Sequence, residues 1–139
     1  MKKKAYKRAS KVIKNRNAGT FSEASFWLFI RNSLRRRSIV WKPISLCRQL
    51  ASRPYTGTNT RQKWEYRCNI CKNWFKGTEI SVDHIIPVGS LNNAQDLPNF
   101  VEGLFCEIDN LQCLCKKCHD SKSKGDNIIT KNKDGKQVN

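Results

Sequence analysis

Two Cys-x-x-Cys pairs, Cys68/Cys71 and Cys115/Cys118, and the chain's two histidines, His84 and His119, are the residues best suited to chemistry. Two such knuckles bring four thiolates to a tetrahedral site of the kind zinc prefers. Four thiolates leave no open coordination position, so a zinc held there is expected to be structural, clipping together distant segments. Three rival readings exist. Cys115 to His119 also spells the Cys-x-x-Cys-His of covalent haem attachment, which the second Cys-x-x-Cys argues against. A thioredoxin-like redox pair needs only one such motif. His119 in place of one cysteine on the zinc stays open. Cys47, Cys106 and Cys113 have no metal-spaced partner, and Cys113, inside the apolar run Leu111–Leu114, reads as a buried free thiol.

Between the knuckles lies Ser81-Val82-Asp83-His84-Ile85-Ile86-Pro87-Val88. Alternation around Ile80, Val82 and Ile85 predicts a strand ended by Pro87. Successive strand side chains face opposite ways, so Asp83 and His84 diverge unless the strand distorts or ends there. Taken alone, His84 reads equally as a hydrogen-bonded core residue. The second knuckle sits in Asn110-Leu111-Gln112-Cys113-Leu114-Cys115-Lys116-Lys117-Cys118-His119. Leu111 to Leu114 reads as a second strand and Lys116 to Lys124 as a short helix.

Other elements must hold these residues. Thr20 and Glu23 form a capping-box pattern, and Ala24, Trp27, Leu28, Arg31 and Leu34 at helical spacing predict a helix from Phe21 to about Arg37. Pro43 suits the first turn of a second helix through Leu50 and Ala51. Arg53 to Gly57 reads as a turn or loop. Asp96 is expected to cap a helix from near Pro98 through Phe105. Glu102 and Glu107 read as surface charges, with recruitment to a metal as the rarer alternative. Lys2 to Gly19 is too poor in apolar residues to pack and reads as loose, as does the polar end from Gly125.

The charge is unevenly placed. The 139 residues carry 27 Lys and Arg against 11 Asp and Glu, a net +16. Residues 1–67 hold 18 basic residues and two acids, 18 − 2 = +16, whereas residues 68–139 hold nine of each and balance at zero. A polyanionic partner, most simply nucleic acid, fits that basic half. Arg31, Arg35, Arg36 and Arg37 crowd the end of the first predicted helix without acidic neighbours at helical spacing, and they read as phosphate contacts. No stretch approaches the roughly 20 apolar residues of a membrane span. The basic start lacks the apolar core of a secretory signal, so a cytoplasmic location with reduced thiols is expected.

The order His84, Asn110, His119, the string Asp83-His84-Ile85-Ile86-Pro87, the run from Asn110 to Ser123 and both knuckles together resemble the HNH endonuclease family. The resemblance spans about residues 64 to 124. The wider chain from Phe21 is similar, more loosely, to small free-standing phage HNH proteins of homing type. It implies an α+β fold with a ββα-metal core, a structural zinc site and a basic helical extension. The expected layout is a basic arm over 1–19, a DNA-binding helical extension over 20–63, the nuclease core over 64–124 and a polar tail over 125–139. By resemblance, His84 matches the general base, and Asp83 and His119 match the ligands of a catalytic ion such as Mg²⁺ or Mn²⁺. Asn110 matches the residue that holds the loop and orients the histidine, and in some members this region also helps bind metal. Lys122 reads equally as a phosphate contact and as a solvated helix residue. The implied activity is metal-dependent hydrolysis of DNA, double-stranded by expectation, giving 5′-phosphate and 3′-hydroxyl ends. A non-catalytic zinc module that binds nucleic acid is the alternative. Trp64 and Trp74, beside the first knuckle, read as core or loop anchors that could also touch substrate.

Overall fold

A computed structural model of the chain describes the backbone of residues 10–134 and the side chains of residues 10–125. Among the described residues, four helices and five strands follow one another as α1 (Glu23–Ser38), α2 (Lys42–Leu50), β1 (Ser52–Pro54), β2 (Trp64–Arg67), β3 (Trp74–Phe75), β4 (Ile80–His84), α3 (Leu97–Leu104), β5 (Leu111–Cys115) and α4 (Lys116–Asp134). Short 3₁₀ turns at Ala94–Asp96 and Ile108–Asn110 introduce α3 and β5. The fold is α+β. Its two sheets are both antiparallel, one of order β1-β2-β3 and one formed by β4 and β5.

The sheet β4–β5 followed directly by α4 makes the ββα unit. Its register pairs Ile80 with Cys115, Asp83 with Gln112 and His84 with Leu111. Every residue of β5 is buried, because α2 covers this sheet. Gln112, the polar member, accepts a hydrogen bond from Asn69 Nδ2 at 2.9 Å, which satisfies it inside the core. One buried cluster joins Cys47 of α2 to Cys68, Ile80, Leu111, Cys113 and Leu114. Arg48 tightens the same junction: its guanidinium donates to the carbonyls of Gly77 and Ile80 and stacks on Tyr66. A second cluster packs Trp27 of α1 against Leu91, Phe100 and Leu104, so α3 is held by the helical extension.

Several local readings change. The N-cap of α1 is Ser22, whose hydroxyl accepts from Ser25 N, and not Thr20. Thr20 is engaged in the preceding turn, donating to Asn17 O at 2.7 Å, and Glu23 pairs with Arg16 and Trp27 Nε1. Arg16 bridges Phe21 through backbone hydrogen bonds, so the inner end of the basic arm has local structure; Met1 to Ala9 lie outside the described residues. Asp96 occupies the N-cap position of α3 as expected, but its side chain makes no capping bond there: its carboxylate accepts from Asn92 N, while Asn93 caps the turn before it. Arg53 and Pro54, expected in a turn or loop running to Gly57, instead join Ser52 in an edge strand paired with β2, where a proline without an N–H costs no ladder bond. The backbone of α4 runs past Gly125 to Asp134, because a single glycine inside a helix costs only about 1 kcal/mol and does not end it. Gly135 to Asn139 lie outside the described residues.

Candidate functional site

The four knuckle cysteines converge as expected: the sulfurs of Cys68, Cys71, Cys115 and Cys118 all lie within 4.8 Å of one another. A tetrahedron with Zn–S bonds of about 2.3 Å has sulfur–sulfur edges of about 3.8 Å, so this spacing fits a zinc ion with small adjustments. Backbone geometry builds the site. Cys68 N donates to Asn73 O at 2.9 Å and Lys72 N to Cys68 O at 3.0 Å, closing the first knuckle into a tight turn. Lys72 takes the left-handed conformation at φ 63°, an unfavourable one for a non-glycine residue that the knuckle requires. The second knuckle spans the junction of β5 and α4, where Cys118 N donates to Cys115 Sγ at 3.5 Å. Burial opposes ionisation of Cys68, but amide donors of Cys115, Cys71 and Ile70 overcome it and lower its thiol to about 6. A thiol so poised is ready to be a metal ligand. The group that could hold a metal among the described residues is these four cysteines, without His119. All seven cysteines are free thiols. Cys113 is buried as expected and shares a weak contact with the carbonyl of Cys47, 3.9 Å away.

The strand end of β4 presents Asp83 and His84 to different neighbours. Asp83 faces α4: Oδ1 is 3.7 Å from His119 Nε2, and Oδ2 is 3.1 Å from Lys122 Nζ. That Oδ2 is buried yet takes no well-directed hydrogen bond. His84 faces the end of α3, with Nε2 3.1 Å from the carbonyl oxygen of Leu104. A carbonyl only accepts, so Nε2 carries a proton, and in the neutral ring the lone pair is then on Nδ1. Asn110 sits just before β5 and clasps the loop after β4. Its Oδ1 accepts from Ile86 N at 2.9 Å, its Nδ2 donates to Ile86 O at 3.3 Å, and its backbone oxygen accepts from Ile85 N at 2.9 Å.

Thus the structure brings Asp83, His119 and Lys122 into one cluster, while His84 turns to Leu104 O and Asn110 holds the loop at Ile85 and Ile86, at the same end of the hairpin. Lys122, read as either solvated or phosphate-facing, stands against Asp83 and is largely buried, which counts against the solvated reading. Arg35, Arg36 and Arg37 are exposed on the last turn of α1, where their charge also complements the helix dipole. Arg31 differs, being half-buried with its Nε enclosed and without a hydrogen bond. Arg35 also lies 5.7 Å from the Phe100 ring centre. Trp64 is exposed, and Trp74 is covered by Arg53, whose guanidinium lies 3.6 Å from the ring centre. Two contacts escaped sequence reasoning: the Leu104 carbonyl on His84 and the indole of Trp41 on Cys106 O at 2.8 Å. A backbone acceptor leaves no mark in residue types; an isolated Trp between two helices was the only available signal for the second.

Residues 68–125 match the family model described as HNH endonuclease. These residues form an HNH domain. The matched segment takes in both knuckles, the β4–β5 sheet and the start of α4, and excludes the basic helices. An HNH nuclease domain has nucleic acid as its substrate class and uses divalent metal, and the four-cysteine cluster is of zinc-binding type. No curated protein and no solved structure matches the chain. Among the described residues, no helix is long and apolar enough to cross a membrane.

Proposed function

We propose that this chain is a metal-dependent endonuclease that hydrolyses phosphodiester bonds in double-stranded DNA, leaving 5′-phosphate and 3′-hydroxyl ends. The observation that carries the reading is the split presentation at the end of β4, His84 toward α3 and Asp83 toward α4. In-line displacement at phosphorus has the attacking and leaving oxygens on opposite sides. A base on one flank and a metal-binding carboxylate on the other fit that demand.

The free lone pair of His84 Nδ1 accepts the proton of the attacking water, while Leu104 O holds the opposite ring nitrogen in place. Asp83 and His119 would hold Mg²⁺, Mn²⁺ or a similar ion, and a carboxylate set beside an imidazole suits such an ion. When bound, it neutralises charge on the leaving oxygen. Lys122 balances the Asp83 charge and is placed to meet a phosphate that approaches the carboxylate. Asn110 fixes the loop that follows the base. The zinc site ties the turn between β2 and β3 to the start of α4. Exposed Arg35, Arg36 and Arg37, with Arg31 behind them, grip phosphates along the duplex.

Plasmid nicking with Mg²⁺ or Mn²⁺ tests the proposal. His84→Ala is expected to lose about 10²–10⁴-fold in rate, the usual contribution of a positioned base. An unchanged rate in that variant refutes the assignment. Salt-sensitive DNA binding without cleavage by the wild type makes the protein a zinc-stabilised binder instead.

A further inference from the structure

We propose that Trp41 is a positioning residue: from the junction of the two basic helices it fixes the backbone carbonyl that orients His84. The inference rests on the reading of His84 as the base. α3 ends at Leu104, and Phe105 leaves helical geometry at φ −97° and ψ 53°. The Leu104 carbonyl lies in the peptide plane between Leu104 and Phe105, whose N–H makes the last bond of the helix, to Val101 O at 2.9 Å; beyond Phe105 the helix no longer fixes the chain. Both sides of that peptide are anchored by the helical extension. Upstream, the Leu104 side chain is buried in the cluster that contains Trp27 of α1. Downstream, Trp41 packs edge-on against the Phe105 ring, with centroids 5.5 Å apart at 79°, and its Nε1–H donates to Cys106 O at 2.8 Å.

Trp41 is itself fixed between the helices. Its N–H donates to Ser38 O at the end of α1, and its carbonyl accepts from Ile44 N in α2. Ser38 directly follows Arg35, Arg36 and Arg37. A continuous set of contacts thus runs from the arginine-bearing turn through Trp41, Cys106 and Phe105 to the carbonyl on His84. The element that carries the positive charge also sets the orientation of the imidazole.

Trp41→Phe removes the N–H and keeps an aromatic ring against Phe105. With only two histidines in the chain, long-range ¹H–¹⁵N correlation of the imidazoles reads each tautomer without ambiguity. In the wild type, His84 is expected as the neutral form protonated on Nε2. In Trp41→Phe, His84 is expected to show a mixture of tautomers while His119 is unchanged. The same variant is expected to lose about 10- to 100-fold in kcat with KM for DNA unchanged, the effect of a small misplacement of a reacting group. A fixed His84 tautomer and an unchanged kcat in Trp41→Phe overturn the proposal. Equal changes at both histidines, together with an early thermal melt, also overturn it, since they report general loosening. If the His84 tautomer shifts but the wild type does not cleave, the positioning role stands and the nuclease reading fails.

Discussion

Replacement of Asn110 by Asp separates a loop tether from a metal ligand. The Asn110 side chain makes two hydrogen bonds to one residue, accepting from Ile86 N at 2.9 Å and donating to Ile86 O at 3.3 Å. Asp keeps the acceptor but sets an oxygen against the Ile86 carbonyl, so one bond becomes a repulsion. Each neutral hydrogen bond contributes about 0.5–1.5 kcal/mol net, and Ile86 is 70% exposed, so water replaces much of what is lost. A destabilisation of about 1–2 kcal/mol follows for Asn110→Asp, which lowers Tm by roughly 4 °C for each kcal/mol in a chain of this size. The backbone bond from Ile85 N to Asn110 O survives, so the loop loosens without detaching. We expect kcat for DNA cleavage to fall about 10- to 100-fold. The metal concentration for half-maximal rate is expected to stay the same, and Asn110→Ala is expected to behave alike. A carboxylate is the better ligand for a hard cation, so a metal-binding Asn110 makes the opposite prediction. Cleavage by Asn110→Asp at the wild-type rate, or with a lower metal requirement, refutes the tether.

Three further outcomes are expected. Chelation of the zinc, or Cys68→Ala, removes the link between the first knuckle and α4, and far-UV circular dichroism should report partial unfolding; metal analysis should find one zinc per chain in the wild type and none in the variant. Joint replacement of Arg35, Arg36 and Arg37 by Ala should weaken DNA binding and flatten the plot of log K against log salt by about 2.7, at roughly 0.9 per phosphate contact; an unchanged slope clears these arginines of phosphate contact. Leu114→Ala empties a site of 0% exposure in the core beneath α2 and should cost about 2–5 kcal/mol in denaturant unfolding, with a smaller loss indicating that α2 can collapse into the space.

Much of the HNH domain was legible because its signals are local. The alternation from Ile80 and the run from Leu111 marked both strands of the hairpin within one or two residues. The knuckle spacings marked four ligands that do converge. The first two helices were also legible from apolar spacing and from Pro43. Pairing of Ser52–Pro54 was not, because an edge strand of three residues takes its stability from its neighbour rather than from its own pattern. Nor was the cap of α1, since Thr20 and Ser22 are both good caps and the choice fell to whichever hydroxyl the preceding turn left over.

By itself, the sequence determined the inventory: a zinc-type cysteine set, an Asp-His pair at a strand end, and a net charge that arises entirely from the first 67 residues. Residue types fix those properties, because metal affinity, proton affinity and charge belong to side chains. The tertiary structure decided orientation. It turned Asp83 toward His119 and Lys122, turned His84 onto a backbone carbonyl, and hung that carbonyl between Trp27 and Trp41 of the basic helices. Such contacts join residues far apart in the chain and often run through peptide groups, which every residue carries alike. For that reason the basic half, which its composition reads only as a grip on phosphate, becomes in three dimensions part of the support for the carbonyl on His84.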